Sequence, residues 1–227
     1  MTSPRARWWS CAWLAPALGL VLALALAGCD LAGLPGDGGT PGSDSAALQA
    51  CLDAMEPPES TEASESERTL ACLIATHEDQ GRAEMLYRSD LGQIARRRAQ
   101  DMAARGYYGG ADHPYPAHVD HDGFGPDYYV CIDAYEPTGW SCDLVVADPQ
   151  RNTTESIGMG TNGLLSTPEQ QFSAWLDSPG HRSHVLAESA GFSPATRYGV
   201  GHAHTADSPD QPGKSGDYWV FLAAPPP

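Results

Sequence analysis

The densest group of residues that could bind a metal ion lies between positions 112 and 122. Three histidines alternate there with three aspartates: Asp112, His113, His118, Asp120, His121 and Asp122. Imidazole and carboxylate groups are common ligands of divalent metals, so a local site is one interpretation. The Asp-x-Asp spacing is also found in calcium loops, but that pattern then needs an oxygen ligand and a glutamate where Phe124 and Cys131 stand. We therefore favour a turn closed by glycine, with solvated side chains.

Sequence signatures of common enzyme classes are absent. The chain has no H-E-x-x-H, no G-x-S-x-G, no P-loop and no dinucleotide-binding fingerprint. His202 and His204 alternate along a predicted strand and so share one face, whereas His184 has only packing or capping as an evident role. We assign no function to these three histidines. The missing signatures favour a protein that is not an enzyme, and an enzyme is kept as the alternative.

Four cysteines predict two disulfides. Cys51, Cys72, Cys131 and Cys142 are an even number in a chain with an export signal, described below. Three connectivities are possible, and proximity along the chain favours Cys51–Cys72 and Cys131–Cys142. A zinc–thiolate site is the alternative, although no C-x-x-C pair is present.

The N-terminus predicts export and lipid anchoring. Arg5 and Arg7 precede an apolar run over residues 13–27 that contains no charge and is short for a membrane span. The run ends in Leu-Ala-Gly-Cys, which resembles the lipobox of bacterial lipoproteins and implies that Cys29 is lipidated. An ordinary signal peptide is the alternative. We expect a protein that is exported and held in the bacterial cell envelope, on its periplasmic or surface side, by several acyl chains.

Composition and charge divide the chain into three parts. Residues 1–28 form the signal peptide, residues 29–67 a lipidated cysteine with a Gly/Pro/Ser/acidic tether and a short helix, and residues 68–227 a folded domain. Without the signal peptide, 29 acidic side chains face 11 basic ones, which gives a formal charge of −18. Such a body repels nucleic acid, so we predict the membrane, through the lipid, as a partner and no nucleic acid.

Periodic apolar residues predict an α+β domain. Helices are expected over residues 46–55, 69–80 and 89–105, and another should begin at a Thr-Pro-Glu-Gln capping phrase, residues 167–170. The triple arginine of residues 96–98 is assigned to a solvated helix face. Phe172, Trp175 and Trp219 are expected in the core. Strands are predicted over 198–204 and 218–223, so helices should pack against a small sheet.

Five phrases along the chain resemble the CAP superfamily of cysteine-rich secretory, antigen 5 and pathogenesis-related proteins, in its bacterial SCP-like branch. LGQIARRRAQDMAARGYY (91–108) is similar to a family helix, and HVDHDGFGP (118–126) to a family turn. TTESIG (153–158) stands where the family has Gly-Glu-Asn-Ile-Ala. WLDSPGHRSHVL (175–186) resembles Trp-Met-x-Ser-Pro-Gly-His-Arg-x-x-Ile-Leu, and YGVG (198–201) resembles a family strand. The Ser-Pro-Gly-His-Arg phrase is the most specific.

The resemblance covers residues 68–224 and implies an α-β-α sandwich with a small antiparallel sheet between helices. It also implies a cleft with two histidines and a glutamate, which fall on His118, His181 and Glu155. In some members such residues bind a divalent metal such as zinc. Two neutral imidazoles and a carboxylate suit Zn²⁺, with water as the fourth ligand. The resemblance thus implies a divalent metal as cofactor, with zinc preferred, and the alternative is no cofactor.

Three positions depart from the family's pattern. A second glutamate, present in eukaryotic members, falls on Ser178, which has no carboxylate. The glycine and asparagine that flank the first glutamate in the family are replaced by Thr154 and Ser156. These departures bear on how much of the family's chemistry the cleft keeps.

The sequence thus predicts a lipid-anchored CAP-domain protein that binds a small apolar ligand, a glycan or a protein partner through its cleft. One alternative is a metal-dependent hydrolase or peptidase that uses His118, Glu155 and His181. Another is a structural interaction surface with a vestigial cleft. The identity of the ligand or protein partner is left open.

Overall fold

The computed structural model describes residues 45–55, 63–106, 118 and 153–226. These residues all belong to one unit, Gly39–Pro227. Several predictions lie outside the described residues: the signal peptide and Cys29, the Cys131–Cys142 pair, and every member of the histidine–aspartate group except His118.

Five helices and four strands are found among the described residues, in the order α1 (Ser45–Ala54), α2 (Glu65–Ala75), β1 (Leu86–Tyr87), α3 (Ser89–Arg105), β2 (Thr154–Thr161), α4 (Pro168–Asp177), α5 (Pro179–Val185), β3 (Arg197–Thr205) and β4 (Gly216–Ala224). This is the predicted α+β class. The helices α1 and α3 and the strands β3 and β4 lie within a residue or two of their predicted positions.

Helix α2 is displaced toward the N-terminus from its predicted range of 69–80. It begins at Glu65 because Ser64 forms a capping box, in which its side chain accepts from the Glu67 amide and the Glu67 carboxylate accepts from the Ser64 amide. It ends early because Thr76 leaves helical geometry. The side-chain amide of Gln80 then donates to the Ile74 carbonyl at 3.0 Å, which satisfies a carbonyl of the last turn.

The sheet has the strand order β1-β3-β4-β2. β4 lies at its centre, antiparallel to both β3 and β2, and all of its residues are buried. The two-residue strand β1 pairs parallel to β3, so the sheet is mixed and not wholly antiparallel as expected. Among the described strands β2 therefore lies at an edge, and its side chains can line an opening beside the sheet.

Side chains alternate between two cores on the two faces of the sheet. Val220 and Leu222 of β4 pack with α3 on one face. Trp219 and Phe221 pack with residues of α2, α4 and α5 on the other. The molecule is thus layered as helix, sheet and helix. Phe172 and Trp175 are buried in the second core with Trp219, as predicted.

Glycines in β3 let α3 lie directly against the sheet. A Cβ atom on Gly201 would come within 2.1 Å of backbone atoms of Ala95 and Arg96 in α3, and one on Gly199 would come within 2.3 Å of the Gly92 amide nitrogen. A larger residue at either position would push the helix away from the strand. This close approach brings the side chains on the inner face of α3 to the sheet.

The prediction that residues 96–98 form a solvated face is wrong for two of its three arginines. Arg98 is completely buried. Arg96 contacts the buried carboxylate of Glu67 at 2.9 Å, and only Arg97 is exposed. A buried guanidinium needs carboxylate or carbonyl partners, and Arg98 has such a partner in Glu155.

A disulfide joins Cys51 in α1 to Cys72 in α2, as predicted. None of the residues of α1 is fully buried. Apart from the disulfide, Leu48 and Met55 pack against the second core, and the Arg68 side chain donates to the Leu52 carbonyl at 2.9 Å. The covalent bond is therefore a large part of what holds α1 to the domain.

Across the described part of the chain, the helices are all too short or too polar to cross a membrane.

Candidate functional site

A cleft of about 420 Å³ opens beside the N-terminal half of β2. Its volume falls within the range of small-molecule sites in proteins. The described residues that line it come from β2, from the junction of α4 and α5, from α5 and from the following loop, together with His118, which lies between α3 and β2 in the chain: His118, Thr154, Glu155, Ser156, Ser178, Gly180, His181, His184 and Phe192.

His118 and Glu155 form a hydrogen-bonded pair in this cleft. Nδ1 of His118 lies 2.9 Å from Oε1 of Glu155. An ionised carboxylate only accepts hydrogen bonds, so Nδ1 donates and Nε2 is left for other partners. The imidazole is half exposed, whereas the carboxylate is 1% exposed. The His118 imidazole is therefore accessible from the solvent, whereas the Glu155 carboxylate that accepts its hydrogen bond is buried.

The charge of Glu155 is partly offset from inside the protein. Nε of Arg98, on α3, lies 3.4 Å from Oε2 of Glu155. Both side chains are at most 1% exposed, and a buried carboxylate without such a cation would carry a large desolvation cost. α3 thus supplies the charge that allows β2 to carry an ionised glutamate at the edge of the sheet.

His181 stands on the opposite wall of the cleft, on α5. Its Nδ1 lies 2.9 Å from the Ser178 hydroxyl oxygen. Partial burial lowers the pKa of His181, and repulsion by a protonated His118 lowers it further. Because both effects lower its pKa below the ordinary value, His181 is a neutral imidazole at neutral pH.

His184 lies at the base of the cleft, with both ring nitrogens occupied. Nε2 is 2.6 Å from the Thr154 hydroxyl, and Nδ1 is 2.6 Å from the Ser156 hydroxyl. Burial lowers the pKa of His184 to about 3, with a smaller contribution from the nearby Arg82 guanidinium. His184 is therefore neutral over the physiological range of pH.

Local sequence explains how α4 and α5 carry the second wall. Thr167 and Gln170 form the predicted capping box at the start of α4, with Pro168 in its first turn. α4 ends at Asp177, and Pro179 then begins α5, because proline fits the first turn of a helix but not its interior. The resulting bend places Ser178 and His181 at the mouth of the cleft.

A buried arginine holds the far end of α5. Arg82 donates to the carbonyls of His184, Val185 and Ala195 at 2.7–2.9 Å. The last carbonyls of a helix have no partner within it, and a cation favours that end of the helix dipole. Burial lowers the pKa of Arg82 to about 10, so it stays charged at neutral pH and anchors α5 in place.

The three predicted metal ligands line the same cleft, and each of them makes a hydrogen bond there. His118 contacts Glu155, while Nδ1 of His181 contacts Ser178. Over the residues that the structure describes, no group of three or more His, Cys, Asp or Glu side chains is arranged to hold a metal ion. The Arg98 cation beside Glu155 also opposes a second cation there. Zinc remains a prediction, and these residues fit it only in part.

The sequence missed three elements of the site. Arg98, behind Glu155, was assigned to the surface. His184 was given no role, and Phe192, which forms part of the cleft wall, was not considered. A spacing of three residues between His181 and His184 is the one signal that could have placed both on a single helix. Ser178 lines the cleft and contacts His181.

A second pair of histidines lies away from the cleft, where β3 ends and β4 begins. His202 Nε2 and His204 Nδ1 lie 3.0 and 3.1 Å from the same oxygen of Asp217. As predicted, the two imidazoles share one face of β3. His202 stacks on Trp219 with ring centroids 3.9 Å apart. Burial lowers the pKa of His202, although its hydrogen bond to Asp217 acts in the opposite direction.

No family model, curated protein or solved structure matches this chain.

Proposed function

We propose that this chain is a lipid-anchored, extracytoplasmic binding module of CAP type, which takes a small uncharged organic ligand into the cleft between β2 and α5. The observation that carries the proposal is the cleft itself. It combines an exposed imidazole, hydroxyl groups and the ring of Phe192 in a volume of about 420 Å³. Apolar walls with a few oriented polar groups are typical of small-molecule sites.

The charges in the cleft support an uncharged ligand. Of the described residues that line it, Glu155 alone is charged when the histidines are neutral, and Arg98 lies against that carboxylate. His181 and His184 both have lowered pKa values. An anion would therefore find no strong cation on these walls, and a ligand with hydroxyl or amide groups and an apolar face would be complementary to them.

Gly180 allows the cleft to be blocked without disturbing its surroundings. A Cβ atom at this position would meet nothing within 4 Å. The variant Gly180→Phe should therefore fill the cleft, while Ala104→Phe adds the same ring at an exposed position of α3 and is its control. Two uncharged probes represent the two ligand classes: N-phenyl-1-naphthylamine for apolar ligands and the trimer of N-acetylglucosamine for glycans.

Fluorescence and calorimetric titrations of the protein should find saturable binding of one of these probes. Affinity should fall at least tenfold in Gly180→Phe and stay the same in Ala104→Phe. Failure of both probes to bind, or equal binding by Gly180→Phe, would contradict the proposal.

The His118–Glu155 contact also supports a second candidate, a metal-dependent hydrolase. Metal-binding histidines commonly donate one ring N–H to a carboxylate, which leaves the other nitrogen for the metal. His118 and His181 would hold the ion through Nε2, and Glu155 would orient His118. When bound, such an ion lowers the pKa of its water. Zn²⁺ should then stabilise the unaltered protein and the control variant His204→Ala. It should not stabilise His118→Ala.

Anchoring at Cys29 has its own test. The lipobox phrase supports lipidation of this cysteine, so the Cys29→Ser variant should move from the detergent phase to the aqueous phase on partitioning. A variant that stays with membranes would contradict lipid anchoring and leave the proposal for the cleft intact.

A further inference from the structure

The two departures from the family phrase around Glu155 are the two hydroxyls that hold His184. Thr154 stands where the resemblance expects glycine and Ser156 where it expects asparagine, and each hydroxyl oxygen lies 2.6 Å from a ring nitrogen of His184. Because both replaced positions contact the same side chain, the two replacements act together. They form a hydroxyl–imidazole–hydroxyl bridge, which we call the His184 bridge: Thr154, His184 and Ser156.

The protons of the His184 bridge can be assigned. The Thr154 hydroxyl donates to the Ala223 carbonyl at 3.3 Å, so its oxygen accepts from Nε2–H of His184. A neutral imidazole with a proton on Nε2 has an acceptor at Nδ1, which accepts a hydrogen bond from the Ser156 hydroxyl. All hydrogen-bonding groups of the ring are thereby satisfied, and none is left to act on a ligand.

The His184 bridge joins the two walls of the cleft. His184 belongs to α5, which also carries His181, and its two partners flank Glu155 on β2. Its ring packs between Phe192 and Phe221, with centroids 4.9 and 5.2 Å away. The contacts with the two phenylalanine rings restrict the orientation of the imidazole. The two hydrogen bonds fix its distance from β2.

We propose that His184 is the positioning residue of the cleft, which holds α5 against β2 and so sets the separation between His181 and Glu155. The inference rests on the proposed binding function. His184 acts through the residues it places and needs no contact with the ligand. The width of the cleft, and with it the choice of ligand, is in this chain a property of the His184 bridge.

Two variants test the role of the ring nitrogens. His184→Phe keeps an aromatic ring between Phe192 and Phe221 but removes both hydrogen bonds. His184→Asn restores one donor and one acceptor in its side-chain amide. Thr161→Val is the control, because Thr161 is a hydroxyl residue of β2 outside the cleft.

The first measurement needs no ligand. Hydrogen exchange in the full chain should be at least tenfold faster over α5 in His184→Phe, while exchange in α3 changes less than in α5. His184→Asn should recover part of the protection, and Thr161→Val should match the unaltered protein. Equal changes in α5 and α3, or no change in α5, would overturn the positioning role. Should His184→Phe not fold, Ser156→Ala removes one hydrogen bond and is read in the same way.

The second measurement is titration with the probe that binds the unaltered protein. Its dissociation constant should rise about tenfold in His184→Phe and recover partly in His184→Asn, because a displaced α5 no longer matches the ligand. Unchanged affinity would overturn the link between the bridge and binding. If neither probe binds the unaltered protein while exchange over α5 still responds as expected, the proposed function fails and the structural role of the bridge stands.

Discussion

Two pairs of histidines, one on α5 and one on β3, meet different partners and acquire different chemistry. On α5, the ring nitrogens of His181 and His184 contact hydroxyl groups among the described residues. On β3, His202 and His204 share one carboxylate oxygen of Asp217. A hydroxyl offers no charge to stabilise an imidazolium ion, so burial lowers the pKa of both α5 histidines, and nearby cationic side chains lower it further. On β3, the Asp217 carboxylate opposes the effect of burial on the pKa of His202.

The comparison separates two uses of the same side chain. The α5 pair stays neutral, and its fixed hydrogen bonds define the geometry of the cleft. The β3 pair satisfies a carboxylate that is 4% exposed and would otherwise be costly to bury. The pairs should therefore respond differently to acid and to removal of their partners.

The largest difference should be the response of His184→Phe to pH. At pH 7 the variant removes two buried hydrogen bonds and leaves the Ser156 hydroxyl without its acceptor, so it should lose roughly 2–4 kcal/mol of unfolding free energy. A lowered pKa means that the unfolded state binds a proton that the folded state does not, so acid weakens the unaltered protein below about pH 6.5. Between pH 7 and pH 4 the gap should narrow by about 3 kcal/mol in urea unfolding. A gap independent of pH would contradict the neutral state of His184.

Removal of the disulfide tests whether the two pairs depend on their local surroundings alone. The Cys51–Cys72 bond closes a segment with a sequence separation of 21. Replacement of both cysteines by serine should cost about 3 kcal/mol in the chain-entropy model. NMR titration of the folded variant should give unchanged pKa values for His184 and His202, since neither contacts α1. A shift in either pKa would mean that α1 influences the sheet.

Asp217→Asn should have a smaller effect. Loss of the charge weakens two hydrogen bonds, at a cost of roughly 1–2 kcal/mol at pH 7. Because the carboxylate opposes the effect of burial, the pKa of His202 should fall further in the variant. NMR titration of the imidazole measures this change. A rise in the pKa would contradict the conclusion that the Asp217 carboxylate stabilises the protonated form of His202.

The smallest effect is expected for His204→Ala. The imidazole is 55% exposed, so its contact with Asp217 is largely screened by water. Urea unfolding should shift by less than about 0.5 kcal/mol, and the retained contact with His202 should keep Asp217 satisfied. A loss as large as that in Asp217→Asn would place the stabilising contact on His204 and not on His202.

Sequence periodicity predicted the elements with strong local signals. α3 and β4 have clear apolar patterns, and the capping box before α4 occurs where its residues indicate. β2 was missed because its glycines weaken a strand pattern. Gly158 is required by tertiary packing, since a Cβ there would come within 2.3 Å of the Gln171 side chain. The need for glycine at such a position cannot be read from neighbouring residues.

The candidate site was predicted less completely than the fold. Resemblance to a family placed His118, Glu155 and His181, which do line one cleft. It could not supply Arg98 or the His184 bridge, because these contacts join residues 28 to 57 positions apart. An arginine in a run of three looks solvated until the opposing strand is known. The burial of Arg98 follows from the position of β2, not from α3 itself.

The disulfide also has a mechanical consequence for a chain anchored at Cys29, as proposed. Tension applied at the N-terminus would enter the domain through α1 and cross directly from Cys51 to Cys72. The chain between the two cysteines would carry no load while the bond is intact. Reduction would transfer the load to that segment, and its sequence separation of 21 corresponds to about 70 Å of extended chain. The disulfide would thus keep the connection between the membrane and the domain short under tension.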